Sequence, residues 1–166
     1  MTKPKKKKDK EFTPPPRQCD GCTMCCEGWL QAEAQGYAFY PGQPCHWVGC
    51  NGCTIYEDRP EVCSSFQCAW KINHFLPEWF KPTLSNVIAN WKTWKQTEDC
   101  TPEDGPGIYL SIVECGKPMT VKCLTWLNNY VAGGALNVRY QYEGRWHYMG
   151  TEPFKQWCIE GATKPQ

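Results

Sequence analysis

Nine of the thirteen cysteines fall between Cys19 and Cys68, which makes this stretch the chemical centre of the chain. It opens with the sequence CDGCTMCC, so that Cys19, Cys22 and Cys25 form two overlapping Cys-x-x-Cys steps. Such a step turns the backbone so that two thiolates converge on one metal ion. Thiols at this density are typical of a metal site, an iron–sulfur cluster or a set of disulfides.

Metal or cluster binding is favoured over disulfides for this stretch. The chain has no apolar run suited to a signal peptide or a membrane span, which predicts a cytoplasmic location without membrane association, where thiols stay reduced. An odd number of cysteines, thirteen, would leave one unpaired in a closed disulfide framework. A zinc-finger pattern fails because only His46 lies near the cysteines, and we expect it to be a surface residue or to donate to a ligand.

The adjacent pair Cys25 and Cys26 departs from a ferredoxin motif, in which three residues and then Cys-Pro would follow the third cysteine. The side chains of adjacent residues point in different directions in most backbone conformations. Cys25 and Cys26 are therefore expected to serve different centres, or one of them to lie outside the ligand set.

This stretch resembles the YkgJ-type cysteine-cluster family, whose members carry a CxxCxxCC motif and are described as zinc- or iron-chelating domains. The resemblance covers about residues 19–70 and includes Ile55-Tyr56, Arg59-Pro60 and Phe66. It implies a metal centre with eight candidate thiolate ligands, namely Cys19, Cys22, Cys25, Cys26, Cys45, Cys53, Cys63 and Cys68. Eight thiolates suffice for two Cys₄ zinc sites, or for one 4Fe–4S iron–sulfur cluster with a second site or reserve thiols.

Five cysteines lie outside this pattern: Cys50, Cys100, Cys115, Cys123 and Cys158. The last four are expected to be small core residues, with roles as ligands or in disulfides left open. Tyr56 and Phe66 are expected to shield the metal from water. Arg59 is expected either to donate to a sulfur or a loop carbonyl, or to form a structural helix start with Pro60.

Three regions are predicted along the chain. Residues 1–18 form a basic, proline-rich, disordered arm, residues 19–75 the cysteine-cluster region, and residues 76–166 the remainder of the same domain. Lysines among residues 3–10 could contact nucleic acid, but the rest of the chain has 12 basic and 16 acidic residues, so a solvated tail is favoured.

The predicted fold class is α+β: a small, metal-stapled N-terminal half with short helices, and a C-terminal half with a small antiparallel sheet and a covering helix. In the N-terminal half, helices are expected over residues 27–35 and from residue 59, with Asp58 as N-cap. In the C-terminal half, we expect strands at 86–94 and 108–115, a helix at 120–131, a hairpin at 137–142 and 145–149, and a helix at 153–159.

The favoured function is a metal-binding protein without enzymatic activity, in which the centre has a structural or interaction-mediating role. One alternative is a redox or methyl-transfer enzyme, because a flagellin lysine methylase carries a similar cysteine domain. Another is a structural component of a bacterial or bacteriophage assembly that contacts a protein partner. The chain shows no phosphate-binding loop, nucleophile elbow or paired-carboxylate motif.

Overall fold

The computed structural model describes residues 15, 17–19, 21–94, 107–133 and 136–163 of the chain. The lysine-rich residues 3–10, which were predicted to form a solvated tail, and Cys100 lie outside these residues. Helices and small sheets alternate along the described chain, so the predicted α+β class is confirmed. No helix in these ranges is both long and apolar enough to cross a membrane.

Short elements and tight turns make up the N-terminal half. A π-helical turn at Cys25–Trp29 precedes two small antiparallel hairpins and two four-residue helices. Their bounds are β1 Ala32–Ala34, β2 Tyr37–Phe39, β3 Val48–Gly49, β4 Gly52–Cys53, α1 Glu61–Ser64 and α2 Ala69–Ile72. Elements this short bury little surface of their own, so they depend on neighbouring segments for stability.

The helix predicted at residues 27–35 is wrong. Gly28 has φ of 97° and Gln31 has φ of 49°, and these left-handed conformations end the helical turn. The chain then forms the β1–β2 hairpin, whose turn residues Gln35 and Gly36 also have positive φ. In β1, Glu33 is exposed and Ala34 is buried. This alternation is typical of a strand, so tertiary packing overrides the helical pattern here.

The predicted N-cap at Asp58 is also wrong, because the residue before α1 is Pro60. Its extended backbone, with φ of −63° and ψ of 161°, places its carbonyl oxygen to accept from the amides of Cys63 and Ser64 at 2.9 and 3.0 Å. The proline ring fixes this φ, so Pro60 starts the helix without a side-chain hydrogen bond.

The C-terminal half contains a four-stranded sheet in the order β5-β6-β7-β8. A connector with a 3₁₀ turn at Glu78–Phe80 leads into it. The remaining bounds are α3 Pro82–Ser85, β5 Val87–Trp94, β6 Gly107–Glu114, α4 Val121–Ala132, β7 Asn137–Tyr142, β8 Arg145–Met149 and α5 Glu152–Thr163. The predicted hairpin is confirmed at both strands, with Glu143 and Gly144 as its two-residue turn.

The sheet was predicted to be antiparallel, but it is mixed, since β6 and β7 are parallel. The reason is α4, because a strand that follows a helical crossover returns in the same direction as the strand before it. One face of the sheet and α4 enclose the main core, which includes Leu110, Leu127 and Val138. The other face packs Trp94 and Tyr109 against α5.

Candidate metal centre

Backbone hydrogen bonds shape the first cysteine segment into two consecutive turns. The amide of Cys22 donates to the carbonyl oxygen of Cys19 at 3.0 Å, and the amide of Cys26 donates to that of Thr23 at 2.7 Å. Gly28 then redirects the chain. A Cβ atom at this position would lie 2.1 Å from the carbonyl oxygen of Tyr40, so the close approach to β2 requires glycine.

The first thiol group consists of Cys19, Cys22, Cys25 and Cys68. Burial raises the pKa of Cys25 well above its usual range, and the thiols of Cys68, Cys22, Cys26 and Cys19 raise it further. Burial also raises the pKa of Cys68, to which the thiols of Cys22 and Cys19 add. These electrostatic influences connect the four thiols, although Cys68 is far from the other three in sequence.

The second thiol group consists of Cys26, Cys45, Cys53 and Cys63. Burial raises the pKa of Cys26 to about 11, with further contributions from Cys53, Cys45, Cys63 and, last, Cys19. Burial raises the pKa of Cys63 as well, and its neighbouring thiols are Cys45 and Cys53. Three of these residues, Cys26, Cys45 and Cys63, belong to a small apolar cluster with Ala34 and Phe39.

Two pairs of cysteines that are close in sequence are divided between the groups. The adjacent residues Cys25 and Cys26 have different sets of thiol neighbours. Cys63 and Cys68 also separate, because α1 ends at Ser64 and a new helix begins at Ala69. The break between α1 and α2 thus directs Cys68 towards the main core and Cys63 towards the small apolar cluster.

Backbone amides face the sulfur atoms of the first group. Amides of Met24 and Thr83 donate to Cys22 and lower its pKa, against the larger effect of burial. Amides of Trp70 and Lys71 act in the same way on Cys68. Donors of this kind stabilise the thiolate form and are used in metal and iron–sulfur sites to orient ligands and tune the centre.

One cationic side chain lies near each group. Lys81 lowers the pKa of Cys22, which burial raises. Arg59 opposes the upward shift that burial and neighbouring thiols cause in the pKa of Cys63. The Arg59 guanidinium also stacks 4.0 Å from the ring centroid of Tyr56, whose side chain is 50% exposed. A positive charge beside each group favours thiolates there.

The eight thiols are the right residue type for a thiolate metal centre, but their side chains are not arranged as one in this structure. Among the described residues, no three His, Cys, Asp or Glu side chains are placed so that they could hold a metal ion. Each group nevertheless supplies four thiols, the complement of a tetrahedral zinc site or a 4Fe–4S cluster. Four thiols gathered at one place need a compensating cation before they can all ionise, because neighbouring thiolates repel one another.

No known family profile matches this chain, and no curated protein or solved structure is detectably similar to it. The resemblance of residues 19–70 to the YkgJ-type family therefore stays a prediction.

The described cysteines outside the eight-cysteine pattern are exposed or lie in the C-terminal core, with one exception. His46 stacks on Tyr37 with ring centroids 4.2 Å apart. Cys50 is exposed, and Cys123 and Cys158 are buried in the two faces of the C-terminal core. The exception is Cys115, which is buried beside the first group. Every cysteine in the described ranges is a free thiol.

Arg17 anchors the segment just before Cys19, although this residue was predicted to lie in the disordered arm. Its side chain is 10% exposed, and its Nε donates to Glu78 at 2.7 Å. Its guanidinium also donates to the carbonyl oxygens of Trp70 and Leu76, both at 2.8 Å. These bonds fix the residues just before Cys19 against the connector, and no local sequence pattern indicates them.

Proposed function

We propose that this protein binds two metal centres, one in each thiol group, and that the metals staple its N-terminal half. The observation that carries the proposal is the gathering of eight thiols into two sets of four, with Cys68 packed against the main core and Cys26, Cys45 and Cys63 in the small apolar cluster. Each centre would be a Cys₄ zinc site or an iron–sulfur cluster. A thiolate centre of this kind also suits the reducing cytoplasm, which we propose as its location.

A structural role follows from the small size of the apolar cluster around the second thiol group. That cluster buries only Ala34, Phe39 and Cys45 among the described residues. A structural zinc site supplies on the order of 10 kcal/mol of folding free energy, more than the burial of three such side chains. Metal in the first group would tie Cys68 to the cysteine turns, and metal in the second would tie α1 to the β3–β4 hairpin.

Anaerobic purification followed by metal analysis and absorption spectroscopy tests the proposal. Two zinc centres would give a colourless protein with about two zinc ions per chain, and two 4Fe–4S clusters a brown protein with about eight irons. The proposal fails if the purified protein holds no stoichiometric metal, or if its N-terminal half keeps its fold after exhaustive chelation under reducing conditions.

A further inference from the structure

The face of the four-stranded sheet that packs against α5 also carries a row of polar side chains. The strand register pairs Asn90 of β5 with Ser111 of β6, and Ser111 with Arg139 of β7. Leu110 and Val138 belong to the main core on the other face. Because side chains alternate along a strand, the adjacent residues Ser111 and Arg139 lie on the α5 face. Asn90, Ser111 and Arg139 are therefore side by side on three neighbouring strands.

The Arg139 guanidinium has no negatively charged partner among the described residues. It stacks on the Trp146 ring, with its Cζ 3.8 Å from the ring centroid, and its buried Nε makes no hydrogen bond. The hydroxyl of Tyr109 on the same face hydrogen-bonds to the guanidinium but stays uncharged, since burial raises its pKa. Stacking leaves the other N–H groups available in the guanidinium plane. A partly buried cation with unmet hydrogen-bonding capacity points to an anionic ligand.

The neighbours of Arg139 in this row supply uncharged donors. Ser111 is 6% exposed and Asn90 is partly buried, and neither side chain hydrogen-bonds to another residue that the structure describes. Lys92 lies two residues after Asn90, so it shares this face and adds a second, exposed positive charge. None of the strand residues on this face is Asp or Glu. The row thus combines two cations with a hydroxyl and an amide, and no carboxylate opposes an anion there.

We propose that this row binds a phosphate group, with Arg139 and Lys92 supplying positive charge and Ser111 and Asn90 donating hydrogen bonds. The planar guanidinium matches the spacing of two phosphate oxygens, and the hydroxyl and the amide donate to the others. Two cations balance the charge of a phosphate near neutral pH, whereas a carboxylate needs only one. The site does not require the proposed metal centres, since cysteines take no part in it.

Titration calorimetry of the full chain with inorganic phosphate tests the proposal in the parent protein and three variants. We expect saturable binding at one site in the parent. Arg139→Gln should abolish it, and Ser111→Ala should weaken it about tenfold, the effect of one hydrogen bond to a charged group. Arg145→Gln is the matched control and should bind like the parent. Arg145 is exposed and pairs with Tyr142, which packs against the main core, so it lies on the other face of the sheet.

Nitrogen-15 NMR gives a second readout in the parent protein, because the chain has only four arginines and their Nε–H signals are easily distinguished. Phosphate should shift the Arg139 signal and leave that of Arg145 unchanged.

Three results would overturn the proposal. The first is a parent protein without saturable phosphate binding, or an Arg139 signal that phosphate does not move. The second is equal weakening in Arg145→Gln and Ser111→Ala, which would mean unspecific attraction to positive charge. The third is acetate competing as well as phosphate, which would assign the row to carboxylates. If Arg139→Gln does not fold, Ser111→Ala decides, since unchanged affinity in that variant also contradicts the site.

Discussion

The backbone amide of Cys45 donates to the carbonyl oxygen of Cys26 at 2.7 Å. This bond joins the long loop after β2 to the cysteine turns and brings together two thiols that are 19 residues apart in the sequence. Cys45 is buried, so the contact is shielded from water and is correspondingly persistent. The second thiol group is thus held together in part by a backbone hydrogen bond that does not require a metal.

If the two thiol groups hold separate metal centres, replacing a ligand in one group should remove the metal of that group alone. Cys63→Ser should remove the second centre and Cys68→Ser the first, so each variant should hold about half of the parent's metal while the remaining centre stays occupied. Cys50→Ser is the control, because Cys50 is exposed and outside both groups, and it should retain all of the metal. Metal analysis of the three purified variants checks this. Complete loss of metal in either ligand variant would indicate a single shared centre.

Gly28→Ala should destabilise the N-terminal half. The new Cβ would lie 2.1 Å from the Tyr40 carbonyl oxygen, at a residue whose φ is 97°, so both a clash and backbone strain result. We expect a loss of about 3 kcal/mol or more in the free energy of unfolding, measured by urea denaturation.

Gly42→Ala is the matched control, because it introduces the backbone strain of a positive φ without a steric clash. Gly42 has φ of 91°, and nothing lies within 4 Å of an added Cβ. We expect this variant to lose only about 1 kcal/mol. Equal losses in the two variants would contradict the close approach of Gly28 to Tyr40.

Arg17→Ala should weaken the attachment of the first cysteine turn to the connector. It removes an ion pair with Glu78 and leaves the carbonyl oxygens of Trp70 and Leu76 without this donor. Hydrogen bonds from a charged group contribute about 1.5–3 kcal/mol, so we expect a loss of that size in the unfolding free energy. Lys155→Ala, which breaks the exposed ion pair with Glu152, should cost less than about 1 kcal/mol. Similar values for both variants would mean that Arg17 is not anchored.

The Cys123 thiol should make stability depend on pH in the alkaline range. Burial raises its pKa to about 12, whereas an unfolded thiol titrates near about 8.5. The folded state therefore keeps a proton that the unfolded state loses. Its contribution is complete below about pH 8.5 and is lost as the pH rises towards 12.

Cys123→Ala removes this titration, so its destabilisation relative to the parent should shrink as the pH rises from 8 to 10. Urea denaturation of both proteins at the two pH values measures the change, which is at most about 1.4 kcal/mol per pH unit. A constant difference between Cys123→Ala and the parent would contradict the buried, protonated thiol.

The sequence predicted the C-terminal half well, because its helices and strands are long enough for their residue patterns and turn residues to identify them. The turn Glu143-Gly144 takes positive φ at both residues, which the two-residue hairpin demands, and the flanking strands have the predicted bounds. Thr120 caps α4 by accepting from the amide of Cys123, where the helix was expected to start. The parallel pairing of β6 and β7 follows from the helical crossover α4, and it was missed although both strands and the helix were predicted.

The N-terminal half was predicted less well, because short elements respond to tertiary contacts more than to propensity. Residues 27–35 carry a helical pattern, but the approach of Gly28 to Tyr40 turns the chain into a hairpin. Pro60 displaced the N-cap expected at Asp58 because its fixed φ already supplies a helix start.

The sequence by itself determined the inventory of the candidate site: dense thiols, Cys-x-x-Cys turns and an adjacent cysteine pair that cannot easily share one centre. Only the tertiary structure decided which thiols are neighbours, because that depends on contacts between residues far apart in the chain. The carbonyl of Cys26 holds Cys45, the break after Ser64 separates Cys63 from Cys68, and the end of β6 brings Cys115 to the first group. Each of these contacts depends on packing between segments, and no local spacing encodes it.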